Sequence, residues 1–168
     1  MTHRHFRRAA GRFPTGVTVV SGTLDGRPHG TTVNAFTTVS MDPLIIMVAL
    51  GQHSRLRTLI LHSGAFAVTV LSARQSRDAR WFAASDRPDG EEAFVGRPWK
   101  PGPHSGAPVL LDGVGYFDCS VRATHTAGDH TVVLGNVEAF DVLSEEPPLL
   151  FHDSRLVPAP ANESKERT

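Results

Sequence analysis

Three short segments of this chain gather side chains suited to ligand chemistry. Gly30–Pro43 reads GTTVNAFTTVSMDP and packs five hydroxyls and one amide into fourteen residues. Two readings fit it. One is an edge strand with a wet face, since threonine has good β propensity. The other is a strand whose main chain and hydroxyls hydrogen-bond a flat, polar-edged ligand. His53-Ser-Arg-Leu-Arg-Thr58 opens a helical pattern, with Ser54 at the cap position. Free N–H groups at a helix start, joined by Arg55 and Arg57, make a local anion site; an ordinary capped surface helix is the plainer reading. Ala127-Gly-Asp-His-Thr131 is either a tight turn with local hydrogen bonds or a turn that sets the His130 imidazole at a pocket rim.

Other chemistries find no support. There is no G-x-G-x-x-G, since Gly113-Val-Gly115 lacks its third glycine, and no P-loop, H-E-x-x-H or G-x-S-x-G. No histidine pair has helical i, i+4 spacing beside a carboxylate, so no metal site is expected. The lone Cys119 lies on the apolar phase of a strand pattern and reads as a buried, inert thiol. Lys plus Arg equals Asp plus Glu at 17 each. A chain with no basic surplus is a poor partner for nucleic acid. The longest apolar run, Leu44 to Leu50, is far short of the roughly 20 residues that span a bilayer. No apolar stretch follows the charged N-terminus, which points to the cytoplasm.

The elements that must position these segments follow from periodicity. The 168 residues suit one domain, set here at 1–157, with a Pro-, Lys- and Glu-rich tail over 158–168 that reads as disordered. Phe6, Ala9, Ala10 and Phe13 mark one face of a short helix. Val17 to Leu24 reads as a strand, and Asp25-Gly26 as a hairpin turn. One long strand is expected over Gly30–Ser40 and a buried one over Leu44–Leu50. Leu56, Leu59 and Ile60 define a helix that stops at Gly64, and Ala65–Leu71 a further strand. Ser72-x-x-Gln75 fits a capping box for a helix reaching Ala84, with Ala79, Phe82 and Ala83 inward. Residues 85–106 lack periodicity and read as one long loop. Strands follow at 109–111, 115–124, 130–140 and 149–152. Short turns and no β-α-β-α alternation favour a mainly β, antiparallel barrel with peripheral helices.

Taken in order, FPTGVTVVSG (Phe13–Gly22), GTTVNAFTTVSMDP, HSRLRT, FAVTVLSARQ (Phe66–Gln75), ARWFA (Ala79–Ala83), YFDCSV (Tyr116–Val121), GDHTVVLGNV (Gly128–Val137) and PLLF (Pro148–Phe151) resemble the short-chain flavin reductase family. These are the reductase components of two-component flavin monooxygenases, and the resemblance covers most of the chain. It implies an FMN-binding split barrel, a homodimer, and NADH- or NADPH-dependent reduction of FMN or FAD for a partner oxygenase, by hydride transfer from nicotinamide C4 to flavin N5. Thr32, Val33, Asn34, Ala35, Phe36, Thr37 and Thr38 match the part that lines the isoalloxazine. The N–H groups of Val33 to Phe36 are expected to support its N1–C2=O edge. Ser40 and Met41 match the turn by the ribityl–phosphate arm, and Ser54, Arg55 and Arg57 the phosphate-side helix start. Phe82 is expected beside the cofactor, and His130 matches the histidine associated with nicotinamide. Ala35 stands where many relatives carry serine, and FHDSRL replaces a common aromatic pair, glycine and tyrosine. A flavin-binding protein without reductase activity and a pyridoxamine phosphate oxidase-like enzyme are the alternatives.

Overall fold

The computed structural model describes residues 2–160. Seven antiparallel strands form its main sheet, in the order β3-β2-β6-β9-β10-β5-β4. They are β2 (Thr18–Leu24), β3 (Arg27–Val33), β4 (Phe36–Met41), β5 (Leu44–Gly51), β6 (Ala65–Val70), β9 (Gly115–Ala127) and β10 (His130–Val142). The remaining strands are short. β1 (Thr15–Gly16), β11 (Leu149–His152) and β12 (Arg155–Pro158) make one small sheet, and β7 (Trp99–Pro101) pairs with β8 (Pro108–Leu110).

The sheet curls upon itself. β3 and β5 lie five positions apart in strand order, yet their Cα atoms come within 8 Å. Val20, Val33, Val48, Phe66, Cys119 and Val133, from six different strands, share one buried core. The helix α2 (Arg55–Ser63) adds Leu56 and Ile60 to it, in line with the periodicity. The expected long strand over Gly30–Ser40 is two strands at opposite edges of the sheet. β3 ends at Val33, the chain crosses at Asn34-Ala35, and β4 begins at Phe36. The crossing is pinned by Ala49 N–H donating to Ala35 O at 3.0 Å and Phe36 N–H donating to Asn34 O at 3.0 Å. The Thr/Val-rich composition runs on through the break, so composition gave no sign of it.

A second core lies outside β2 and β3. The helix α3 (Ser76–Ala83) places Ala79 and Phe82 there with Phe94, Leu110 and Leu149. Fully burying a phenylalanine contributes about 1.5–3 kcal/mol. Both rings crowd β3 at Gly30, where a Cβ would stand 3.2 Å from Phe94 and 3.3 Å from Phe82. The capping box is present, with Ser72 N–H donating to Gln75 Oε1 at 3.0 Å, but it opens a 3₁₀ turn (Ala73–Gln75) and α3 follows it.

Residues 85–106 are more ordered than their composition suggests. They contain a 3₁₀ turn over Gly90–Phe94 and strand β7. Trp81 Nε1–H donates to Ala93 O at 2.7 Å, and Arg97 stacks 4.5 Å from the Trp81 ring while pairing with Asp78 at 2.9 Å. Asp118, on the polar phase of β9, is fully buried beneath this segment. Cys119 is buried, and burial pushes its thiol well above the usual range. The first helix, α1 (His3–Ala10), buries no residue; Phe6 and Phe13 stand exposed. Pro158, expected to begin the tail, instead closes β12, and 161–168 lie outside the described residues. Among the described residues no helix is long and apolar enough to cross a membrane.

Candidate cofactor site

A cavity of about 550 Å³ opens where β3 gives way to the Asn34-Ala35 crossing. Its walls are the end of β3, the end of β5 (Ala49–Gly51), the start of α2, the end of α3 and the segment Arg87–Asp89, with His130 at the rim.

His130 owes its place to a tight turn. His130 pairs with Ala127 across a two-residue turn in which Gly128 takes φ +60°, a conformation suited to glycine. On its other side His130 pairs with Gly51. Gln52 locks the two loops together: its N–H donates to Asp129 O at 2.9 Å and its Nε2 donates to His130 O at 3.3 Å. Asp129 Oδ1 lies 2.8 Å from His130 Nδ1. A carboxylate only accepts, so this contact keeps a proton on Nδ1 and leaves Nε2 free. The same hydrogen bond holds the Asp129 carboxyl below the usual carboxylate range.

Ser54 occupies the N-cap of α2, as the sequence suggests, but its hydroxyl makes no capping bond. The first turn holds no acidic residue, so its N–H groups keep their partial positive charge. Arg55 NH1 reaches both oxygens of Asp89 at 2.6 Å.

Arg87 lies in the same wall. Its guanidinium donates to Ala84 O and to Gly30 O, and its NH2 lies 3.3 Å from His29 Nε2. Its Nε–H is buried with no partner. Among the described residues no carboxylate bonds this side chain: the nearby Asp89 is taken by Arg55. Burial lowers the pKa of Arg87 against the opposing field of Asp89, but an arginine stays charged. Burial, and then the Arg87 charge, hold His29 below the usual histidine value. The cavity wall therefore carries a half-buried cation, Arg87, whose Nε–H is covered and has no partner among the described residues, beside Arg55.

Of the residues expected from sequence, Thr32, Val33, Asn34, Ala35, Ser54, Arg55 and His130 line this cavity together. The others do not reach it. Phe36 packs on Phe117 with ring centroids 5.5 Å apart, and its N–H is spent on Asn34 O rather than free for a ligand. Thr37, Thr38, Ser40 and Met41 lie farther along β4, with Thr37, Thr38 and Met41 exposed. Arg57 donates from Nε to Thr131 Oγ1 at 2.6 Å and ties α2 to β10. Phe82 is fully buried against Phe94, at a centroid distance of 5.1 Å; its neighbour Ala83 lines the cavity instead. Sequence reasoning missed His29, Arg87 and Asp89. Arg87 and Asp89 are two of seven charged residues in the aperiodic stretch 85–106, so nothing local singled them out. A second cavity, of about 640 Å³, shares Thr32, Asn34 and Ala83 with the first and extends to Phe151, Arg155 and Leu156.

A curled antiparallel sheet thus holds, at its crossing, a cavity walled by two arginines, the start of α2 and His130. Residues 10–160 match the family described as flavin reductase like domain, and the chain belongs to that family. Among its relatives, the NADH-dependent FAD reductase of Streptomyces globisporus is 40% identical over 132 residues, covering 78% of this chain and 71% of that protein. The reductase subunit HsaB of a flavin-dependent monooxygenase from Rhodococcus jostii is 34% identical over 171 residues, covering 97% and 85%. Among solved structures, the NADH:FAD oxidoreductase of Streptomyces globisporus, in complex with NAD and FAD fragments, superposes with a TM-score of 0.88 at 32% identity, covering 96% of this chain and 94% of that one.

Proposed function

We propose that this chain is an NADH- or NADPH-dependent flavin reductase that passes reduced FMN or FAD to a partner monooxygenase. The observation that carries this reading is the gathering of Arg55, Arg87, Ser54 and His130 around one cavity. Such a gathering suits the phosphate of a flavin nucleotide, and family membership makes flavin the natural occupant.

Ser54, Arg55 and Arg87 would hold the phosphate end, and Thr32 to Ala35 would line the ring. Thr32 is already fixed by donating from Oγ1 to Ala79 O at 2.6 Å, so that wall is rigid before a ligand arrives. The chemistry supplied by a bound flavin is acceptance at N5 of a hydride from C4 of a reduced nicotinamide. No acid or base on the chain is required for that transfer. His130, through its free Nε2, would orient the reductant by hydrogen bonding to its carboxamide or pyrophosphate. His130→Ala is expected to raise KM for NADH about five- to tenfold, the size of one lost hydrogen bond, and to leave the flavin Kd unchanged. Steady-state kinetics beside a flavin titration checks this; equal loss of both would make His130 a structural residue.

The direct test follows NADH oxidation at the nicotinamide absorbance band with FMN or FAD added. Flavin binding without NADH oxidation would leave a binding protein only, and turnover of pyridoxamine phosphate would favour an oxidase of that kind. We further propose a split-barrel homodimer. Edge strand β4 has one unpaired side and exposes Val39 and Met41, and β10 exposes Phe140 and Val142. Exposed apolar side chains on a free edge suit a subunit interface. Sedimentation should return twice the 18.2 kDa chain mass.

A further inference from the structure

Asp89 is an acidic residue in the wall of a cavity otherwise arranged to attract an anion. Both of its oxygens lie 2.6 Å from Arg55 NH1, so it occupies the donor that a phosphate would use. Its field also reaches His29 and Arg87. The two side chains of the pair are 71% and 49% exposed, so the contact is weak enough to exchange. Among the described residues Asp89 makes no side-chain hydrogen bond except to Arg55. The packing of its segment comes from Arg87 bonding Ala84 and Gly30 on one side and Trp81 bonding Ala93 on the other.

We propose that Asp89 is an internal competitor for Arg55, which keeps the affinity for the flavin phosphate low. The inference rests on the flavin reading above. Before binding, the pair neutralises Arg55 and screens the cavity. A phosphate monoester carries close to two negative charges at neutral pH, against one on Asp89, and displaces it. Asp89 then stands beside the phosphate as a like charge, which favours departure. A reductase that must surrender its flavin needs such a term, and a cavity lined by Arg55 and Arg87 alone would lack it.

The test compares FMN with riboflavin, which has the same ring and no phosphate, on Asp89→Asn and Asp89→Glu. Asp89→Asn should tighten FMN roughly twofold to fivefold, by removing one screened charge near the phosphate. The gain should shrink as salt rises. Riboflavin affinity should stay at the wild-type value, and Asp89→Glu should behave like wild type. Unchanged or weaker FMN binding in Asp89→Asn overturns the proposal. So does a parallel change for FMN and riboflavin, which would make Asp89 part of the pocket frame. Arg55→Ala separates the parent reading: if it leaves FMN affinity unaltered, the phosphate does not sit at Arg55, and the assignment of the phosphate end fails along with this proposal.

Discussion

Arg87→Met is expected to weaken FMN binding roughly 30- to 100-fold, with a much smaller change for riboflavin. Methionine keeps the apolar stem that packs near the Phe82 ring, where the guanidinium lies 5.9 Å from the centroid. It removes the charge and the buried Nε–H that has no protein partner. A hydrogen bond to a charged group is worth about 1.5–3 kcal/mol, and each 1.4 kcal/mol is a factor of ten in Kd. The substitution also removes the bonds to Gly30 O and Ala84 O, so some loosening of the 84–89 segment accompanies it. The comparison of ligands separates the effects. Fluorescence titration should show a loss confined to the phosphorylated flavin. Parallel loss for FMN and riboflavin would mean that Arg87 only braces the wall.

Asp118→Ala should cost about 3 kcal/mol of stability. The carboxylate is fully buried and accepts the N–H of His104 at 2.7 Å and of Ser105 at 3.2 Å. A hydrogen bond to a charged group contributes about 1.5–3 kcal/mol, and two part-buried ones are lost here. The bonds also close the segment at Gly102, which lies so near that a Cβ there would stand 2.7 Å from Asp118 Oδ2. For a chain of this size, 3 kcal/mol corresponds to a fall in Tm of roughly 6–12 °C. Asp118→Asn keeps one acceptor oxygen and should lose about half as much. Scanning calorimetry measures both. Flavin affinity well below Tm should be unaffected, because no residue of 102–107 lines the cavity.

Asp118 also marks where the sequence was legible and where it was not. Its alternation with Phe117 and Cys119 correctly placed a strand. Alternation reports a polar phase, however, not whether another segment will cover it. The helix α2 and the Asp25-Gly26 and Gly128-Asp129 turns were readable because their signals are local: apolar spacing and residues that tolerate positive φ. The division of 30–40 into two strands was hidden because β pairing is non-local, and Asn34-Ala35 has no glycine or proline to announce a change of direction. The site divided in the same way. Residues on one continuous motif, Thr32 to Ala35, were expected by type and resemblance, and they line one cavity with Ser54, Arg55 and His130. Arg87 and Asp89 come from an aperiodic stretch that only tertiary contacts hold against β3. Phe82 lies in the core and Ala83, one position on, lines the cavity, since α3 turns about 100° per residue.

The Asn34-Ala35 crossing has one more consequence. It is the covalent link between the first and last strands of the sheet, so both free edges belong to one stretch of backbone. A ligand seated there touches β3, the crossing and the end of β5 at once. It acts as a rivet through the overlap of a rolled plate, holding the roll against unwinding from either margin. A ligand there bridges segments far apart in strand order, so it adds cross-links that the backbone ladder alone does not supply.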